Sequence, residues 1–277
     1  MTVRKLNAGD RSQAEVTWRE VFEEPRAFTE YYFNERFYPE HSFGAFDGDR
    51  LIAMTLGRPT MIRAEGRSLP ALLIAGVSTQ PAYRGRGLMH DLVSRQIAHA
   101  KENGFACCYL HPVSESLYAS LGFRNGTDAL IVRSDPNRAH DPFEWKENAS
   151  NRDLLFVYDA LLQSHDGMQL RDERELTAVF SDYATEQAQT LAVYSESQPM
   201  GYVCYSREGS VFELFALCSS AYEALLDKAS KRVGRELKAI VPVDCGVIGE
   251  RVYSMQYLVF NNAFQLPLKN GFCRLAY

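Results

Sequence analysis

Apolar residues recur at helical spacing through Leu88, Leu92, Val93, Ile97 and Ala100, so the chain from Leu88 to about Asn103-Gly104 predicts an amphipathic helix that glycine brings to an end. Two apolar runs too short for helices flank it and read as buried strands: Leu72 to Ser78 before it, and Phe105 to Leu110 after it. The first strand reaches the helix through Arg84-Gly85-Arg86-Gly87. Strand, glycine-rich turn, helix and strand in this order form a crossover unit. Neighbouring parallel strands of this kind leave a crevice at their C-terminal ends.

The same pattern extends in both directions. A helical region is predicted over about Asp10 to Asn34, with Trp18, Phe22, Phe28, Tyr31 and Tyr32 as its aromatic content. Ser42 to Phe46 and Leu51 to Leu56 then read as strands around the hairpin signal Asp47-Gly48-Asp49, followed by a further extended segment. Ser134 to Pro142 is polar, carries two prolines and reads as a connector. Beyond it the first half is repeated as strand (Thr190 to Tyr194), turn (Ser195 to Pro199) and two strands (Met200 to Tyr205, Val211 to Leu217). A helix (about Ser220 to Val233) and a final strand (Leu237 to Val241) complete the repeat. The predicted class is α/β (α+β), with two units, residues 1–135 and 150–277, each a mixed, mostly antiparallel sheet with flanking helices.

At 277 residues and 46% hydrophobic content the chain can supply two modest cores. No apolar run is long enough to span a bilayer, and Met1-Thr2-Val3-Arg4-Lys5 leads into polar sequence, so a cytoplasmic protein is expected. A net charge of −5 gives no electrostatic support to nucleic-acid or anionic-membrane binding. The six cysteines form no Cys-x-x-Cys pair, and Cys107, Cys108 and Cys204 fall in strand patterns as small core residues. The six histidines show no metal-ligand spacing.

The turn carries the chemistry. Gly85 and Gly87 let backbone N–H groups approach phosphate oxygens, and the helix that starts at Leu88 aims its unpaired N-terminal donors at the same place. Arg84 and Arg86 add countercharge. These features describe a pyrophosphate cradle. The second half has Cys218-Ser219-Ser220-Ala221-Tyr222 between strand and helix, with neither glycine nor arginine, so only the first half is expected to hold such a ligand.

Arg84-Gly85-Arg86-Gly87-Leu88-Met89 resembles the acyl-CoA signature of the GNAT acetyltransferases: Arg or Gln, two variable residues, Gly, one variable residue, then Gly or Ala. Arg84 through Leu88 fit and Met89 departs, as a bulkier residue does in the branch related to the enhanced-intracellular-survival acetyltransferases. Tyr118-Ala119-Ser120-Leu121-Gly122-Phe123 resembles the second GNAT signature, Y-x-x-x-G-F. Tandem halves, the first intact and the second degenerate, again resemble that branch. Its members continue into a sterol-carrier-like domain whose terminal carboxylate lies in the active site. The sequence at hand ends at Tyr277, so a chain without that domain is expected and the catalytic base stays open.

The resemblance implies acetyl-CoA as co-substrate and no metal. It places Val77 and Thr79 on the splayed strand, pairing through the main chain with the pantetheine arm, and Arg84, Gly85, Arg86, Gly87, Leu88 and Met89 around the pyrophosphate. Tyr118 takes the position of the acid that protonates the departing thiolate; its alternative role is packing between Leu117 and Leu121. Candidates for the base are Glu23, Glu24, Glu115, His111 and the terminal carboxylate at Tyr277. Carboxylates beside Trp18, Phe22 and Phe28 would suit a cationic amine. The implied activity is N-acetyl transfer to a primary amine of a small molecule or protein. The alternative is a non-catalytic acyl-CoA-binding regulatory or interaction module. Acceptor, acyl-chain preference and oligomeric state are not fixed by the sequence, which allows a homo-oligomer.

Overall fold

The computed structural model describes residues 1–22, 24–114, 116–140, 143–268 and 270–273. In chain order it contains β1 (Thr2–Lys5), α1 (Arg11–Val21), α2 (Arg26–Glu35), β2 (Phe43–Asp47), β3 (Arg50–Ala64), β4 (Arg67–Thr79), α3 (Leu88–Glu102), β5 (Cys107–Leu110) and β6 (Arg124–Arg133). There follow β7 (Glu144–Glu147), α4 (Asn151–Ser164), α5 (Glu173–Ala184), β8 (Gln189–Ser195), β9 (Gln198–Tyr205), β10 (Val211–Ala216), α6 (Ser219–Val233), β11 (Lys238–Val241) and β12 (Glu250–Val259).

The α/β class holds, with flanking helices on sheets that are antiparallel except for β4 beside β5. One sheet runs β1-β2-β3-β4-β5-β12-β6-β11 and the other β10-β9-β8-β7. The crossover from β4 through α3 to β5 and the strand–strand–strand–helix–strand series of the second half lie where the periodicity places them. Three features differ from the sequence reading. Thr2–Lys5, polar in sequence, is an edge strand on β2, where side-chain polarity is no obstacle. The extended segment after Leu56 continues β3 without a break to Ala64, and the hairpin into β4 turns on Glu65 and Gly66, both at positive φ.

The third is β12. It enters the first sheet between β5 and β6, with Tyr257 opposite Tyr109 on one side and Arg124 on the other. Tyr257 and Tyr109, both fully buried, stack with centroids 5.5 Å apart. Gly126 makes room for this ring: a Cβ there would lie 2.4 Å from Tyr257 Cδ2. β11 extends the same sheet by pairing with β6, so strands from both halves of the chain share one ladder.

Helix α5 joins the halves on the other side. Glu175 Oε1 accepts from Arg36 Nη1 at 2.8 Å and also from Arg58, two guanidinium groups that are almost wholly buried. The Tyr31 hydroxyl donates to the Ala178 carbonyl. Near the C-terminal end of the helix the Tyr183 hydroxyl donates to Glu213 on β10 at 3.0 Å, and Glu213 is itself paired with the buried Arg171. Removing either partner of such a buried pair leaves an uncompensated charge, which fixes the helix in place. No helix among the described residues is long and apolar enough to cross a membrane.

Candidate active site

Strands β4 and β5 pair only across Ala71 to Leu73 and Cys107 to Tyr109. Beyond Leu73 they part while β4 continues to Thr79, which opens the crevice expected at their C-terminal ends. On its other edge β4 slips against β3: Ala75 faces Leu56 and Ser78 faces Met54, so Gly76 and Val77 together oppose Thr55. Such a bulge takes backbone groups out of the ladder. Gly76 has φ +55°, and a Cβ there would stand 2.5 Å from Trp18 Cζ3. Glycine is needed for the conformation and for the ring that presses on it. The half-buried Val77 carries side-chain packing on one face while its backbone lies at the bulge beside the opening.

Thr79 ends β4 opposite Ala53, and the chain turns through Pro81–Tyr83 into Arg84–Gly87. The turn braces itself. Arg84 Nε donates to the Thr79 carbonyl and Arg86 Nη2 to the Ala82 carbonyl, each at 3.2 Å, and the Tyr83 hydroxyl donates to Asp47. Gly85 and Gly87 both have φ +75°, and, apart from the adjoining residues, no described atom lies within 4 Å of where a Cβ would stand on either. Gly87 is the N-cap of α3 and offers no side-chain acceptor, so the first donors of a 15-residue helix are left without a side-chain cap. The open space over two left-handed glycines, at an uncapped helix start, suits a phosphate group. Leu88 is buried, and Met89, the departure from the signature, packs against the cluster of Leu72, Ile74, Val93 and Tyr118, so the core absorbs its bulk. In the second half β10 passes to α6 with only Leu217 and Cys218 between them.

A cavity of about 360 Å³ occupies the opening between the splayed strands. Ile74 to Val77 and Leu110 form its base, and Trp18, Phe22 and Phe28 form an aromatic wall. Within that wall Trp18 lies 4.9 Å from Phe22 and 6.3 Å from Phe28, centroid to centroid. Tyr118 lines the same cavity, 5% exposed, with its ring edge-on to Phe123 at 5.9 Å. Its hydroxyl has no hydrogen-bond partner among the described residues, and burial raises its pKa, so the phenol holds its proton at neutral pH. The packing role and the polar role therefore coexist: the ring belongs to the core and the hydroxyl to the cavity.

Among the base candidates, Glu24 and His111 line this cavity, whereas Glu23, Glu115 and Tyr277 lie outside the described residues. Burial raises the Glu24 carboxyl. The turn Arg84 to Met89 does not line the cavity itself and is joined to it by the last residues of β4.

One part of the lining was not anticipated. It comes from the second half, with Asp182 and Tyr183 of α5, Glu186 just beyond that helix and Phe212 of β10. Asp182 is 4% exposed and its carboxyl is pushed up to about 7, chiefly by burial, against the opposing pull of Arg36 and Arg58. Burial also raises Glu186, helped by Glu24 and Glu208. In sequence these acids are ordinary polar positions of an amphipathic helix and its end. Their convergence on the cavity depends on the docking of α5 through Glu175.

Residues 2–126 match the acetyltransferase (GNAT) domain family. An uncharacterised N-acetyltransferase of Streptomyces avermitilis is 30% identical over 142 residues, which cover 50% of this chain and 32% of that protein, so the chain spans about a third of that relative. Among solved structures, a probable N-acyltransferase of unknown function from Enterococcus faecalis V583 superposes with a TM-score of 0.74 at 19% identity, covering 97% of this chain and 73% of the other. Eis1 from Mycobacterium abscessus gives 0.69 at 17% identity, covering 94% and 74%. These two share the fold over nearly the whole chain, both halves included. The splayed strands, the bulge and the glycine turn all fall within the segment, residues 2–126, that matches the acetyltransferase (GNAT) domain family.

Proposed function

We propose that the chain is an N-acetyltransferase that passes the acetyl group of acetyl-CoA directly to a primary amine. One observation carries this reading: a phosphate-type turn follows the C-terminal end of β4, and a buried phenol with no hydrogen-bond partner among the described residues follows the C-terminal end of the parallel β5. Arg84, Gly85, Arg86, Gly87, Leu88 and Met89 hold the pyrophosphate, mainly through backbone donors at the start of α3. The backbone of Val77 and Thr79 receives the pantetheine arm as an added strand. The arm then leads the thioester into the cavity toward Tyr118.

The amine attacks the thioester carbonyl, the C–S bond breaks, and Tyr118 gives its proton to the leaving thiolate. A second proton leaves the nitrogen as the tetrahedral adduct collapses and restores the phenol. Aromatic rings facing carboxylates suit an acceptor that arrives as a cation, whether a small polyamine-like molecule or a protein amine. The reading treats residues 1–135 as the donor-binding unit and 150–277 as a degenerate GNAT-like unit, an arrangement resembling the enhanced-intracellular-survival branch. The rival reading, a non-catalytic acyl-CoA-binding module, gives no use for a buried hydroxyl held open to a cavity.

The donor site is tested by calorimetry. Acetyl-CoA should saturate at about one molecule per chain, because among the described residues only the first half has open glycines at a helix start. Two equivalent sites per chain would overturn the assignment of the donor to the first half alone.

A further inference from the structure

We propose that Asp182, supplied by the second half of the chain, is the general base that deprotonates the incoming amine, so that the acceptor site is complete only when both halves pack together. The inference rests on the acetyltransferase reading and assigns the group that reading leaves open.

Three observations place Asp182 in this role. It lines the same cavity as Tyr118 and the β4 residues Ile74 to Val77. Its side chain is buried and, among the described residues, its carboxylate makes no hydrogen bond or ion pair; Arg36 and Arg58 act on it only as charges, because both hold Glu175 instead. Its position is fixed from two sides, by the Glu175 clamp about two turns away on the same helix face and by the adjacent Tyr183 hydroxyl on Glu213. A buried carboxylate without a structural partner costs stability, and its retention at a cavity wall is the mark of a working group.

The charges facing it set its proton affinity. Arg36 at the end of α2 and Arg58 on β3 favour the carboxylate, and Glu186 and Glu24 oppose it, as does burial. Tyr31 on α2 also feels its charge. The balance near neutrality suits a base that must both take a proton and release it. In the reaction Asp182 takes one proton from the ammonium group. The free amine forms the C–N bond, the C–S bond breaks, Tyr118 protonates the thiolate and regains a proton from the nitrogen, and Asp182 returns its proton to water. The sum is amide, thiol and one released proton.

The test is the pH profile of kcat/KM for the full chain with acetyl-CoA and spermidine, read by thiol release, in the wild type, Asp182→Asn and Asp182→Glu. The wild type should show an acidic limb with an inflection between about pH 6 and 8, set by the base in the free enzyme. Asp182→Asn should lose that limb and about a hundredfold in rate, while acetyl-CoA affinity by calorimetry is unchanged. Asp182→Glu keeps a carboxylate and should retain the limb at a displaced inflection, which separates loss of the base from loosening of α5. A wild type that turns over without the limb, or an Asp182→Asn that keeps it, overturns the base assignment alone. A wild type that binds acetyl-CoA but releases no thiol with any amine overturns the acetyltransferase reading and the base together.

Discussion

Replacing Gly87 by Asp is expected to reduce acetyl-CoA affinity by at least about a hundredfold, equivalent to about 2.7 kcal/mol of binding energy. The fold itself should tolerate the change. Apart from the adjoining residues, no described atom lies within 4 Å of a Cβ at this position, so nothing is displaced, and the remaining penalty is that of a left-handed residue, a conformation Asp adopts more readily than most. What changes is the space above the first turn of α3. A carboxylate there accepts the helix-start donors for itself and repels an incoming phosphate. Calorimetry with acetyl-CoA, beside a melting curve, checks both halves of the expectation. A variant that melts like the wild type and binds with unchanged affinity would remove the pyrophosphate site from this turn.

Tyr118→Phe is expected to lower turnover by roughly ten- to a thousandfold while leaving acetyl-CoA affinity nearly unchanged. The ring sits edge-on to Phe123 and among Leu72, Ile74 and Val93, and phenylalanine keeps every one of those contacts. The hydroxyl has no partner among the described residues, so its removal strands no buried donor or acceptor. A residue that only packs would therefore give a Phe variant with wild-type rates, and Tyr118→Ala would then fail mainly through lost stability. Steady-state rates for both variants with a responsive amine, with melting temperatures alongside, separate the two outcomes.

The part of the site that could be read from sequence is the part made by neighbours in the chain. The turn from Arg84 to Gly87 and the amphipathic face of α3 are local: glycine announces the positive φ, and the spacing from Leu88 to Ala100 announces the buried stripe. The order of strands and helix from Gln189 to Val241 was legible for the same reason. The hidden parts depend on contacts between distant segments. Glu250–Val259 has the composition of a strand, but nothing in it specifies a place between β5 and β6; that place follows from Tyr257 finding Tyr109 and the gap at Gly126. Gly76 lay inside an apolar run and read as an ordinary strand residue, because the bulge it makes is visible only against β3 and Trp18. Asp182 gave no signal at all. It becomes a buried acid on the cavity wall only after Arg36 and Arg58, more than a hundred residues earlier, have captured Glu175 about two turns away on the same helix.

The central claim is that this fold transfers an acetyl group to an amine, and amine-dependent release of thiol from acetyl-CoA tests it most directly. Incubated with acetyl-CoA and a panel of primary amines from spermidine to lysine-containing peptides, the wild-type chain should release thiol in step with formation of the acetylated amine, and Gly87→Asp should not. Saturable binding of acetyl-CoA at a single site with no amine-dependent thiol release across the panel would contradict the claim and leave an acyl-CoA-binding module in its place.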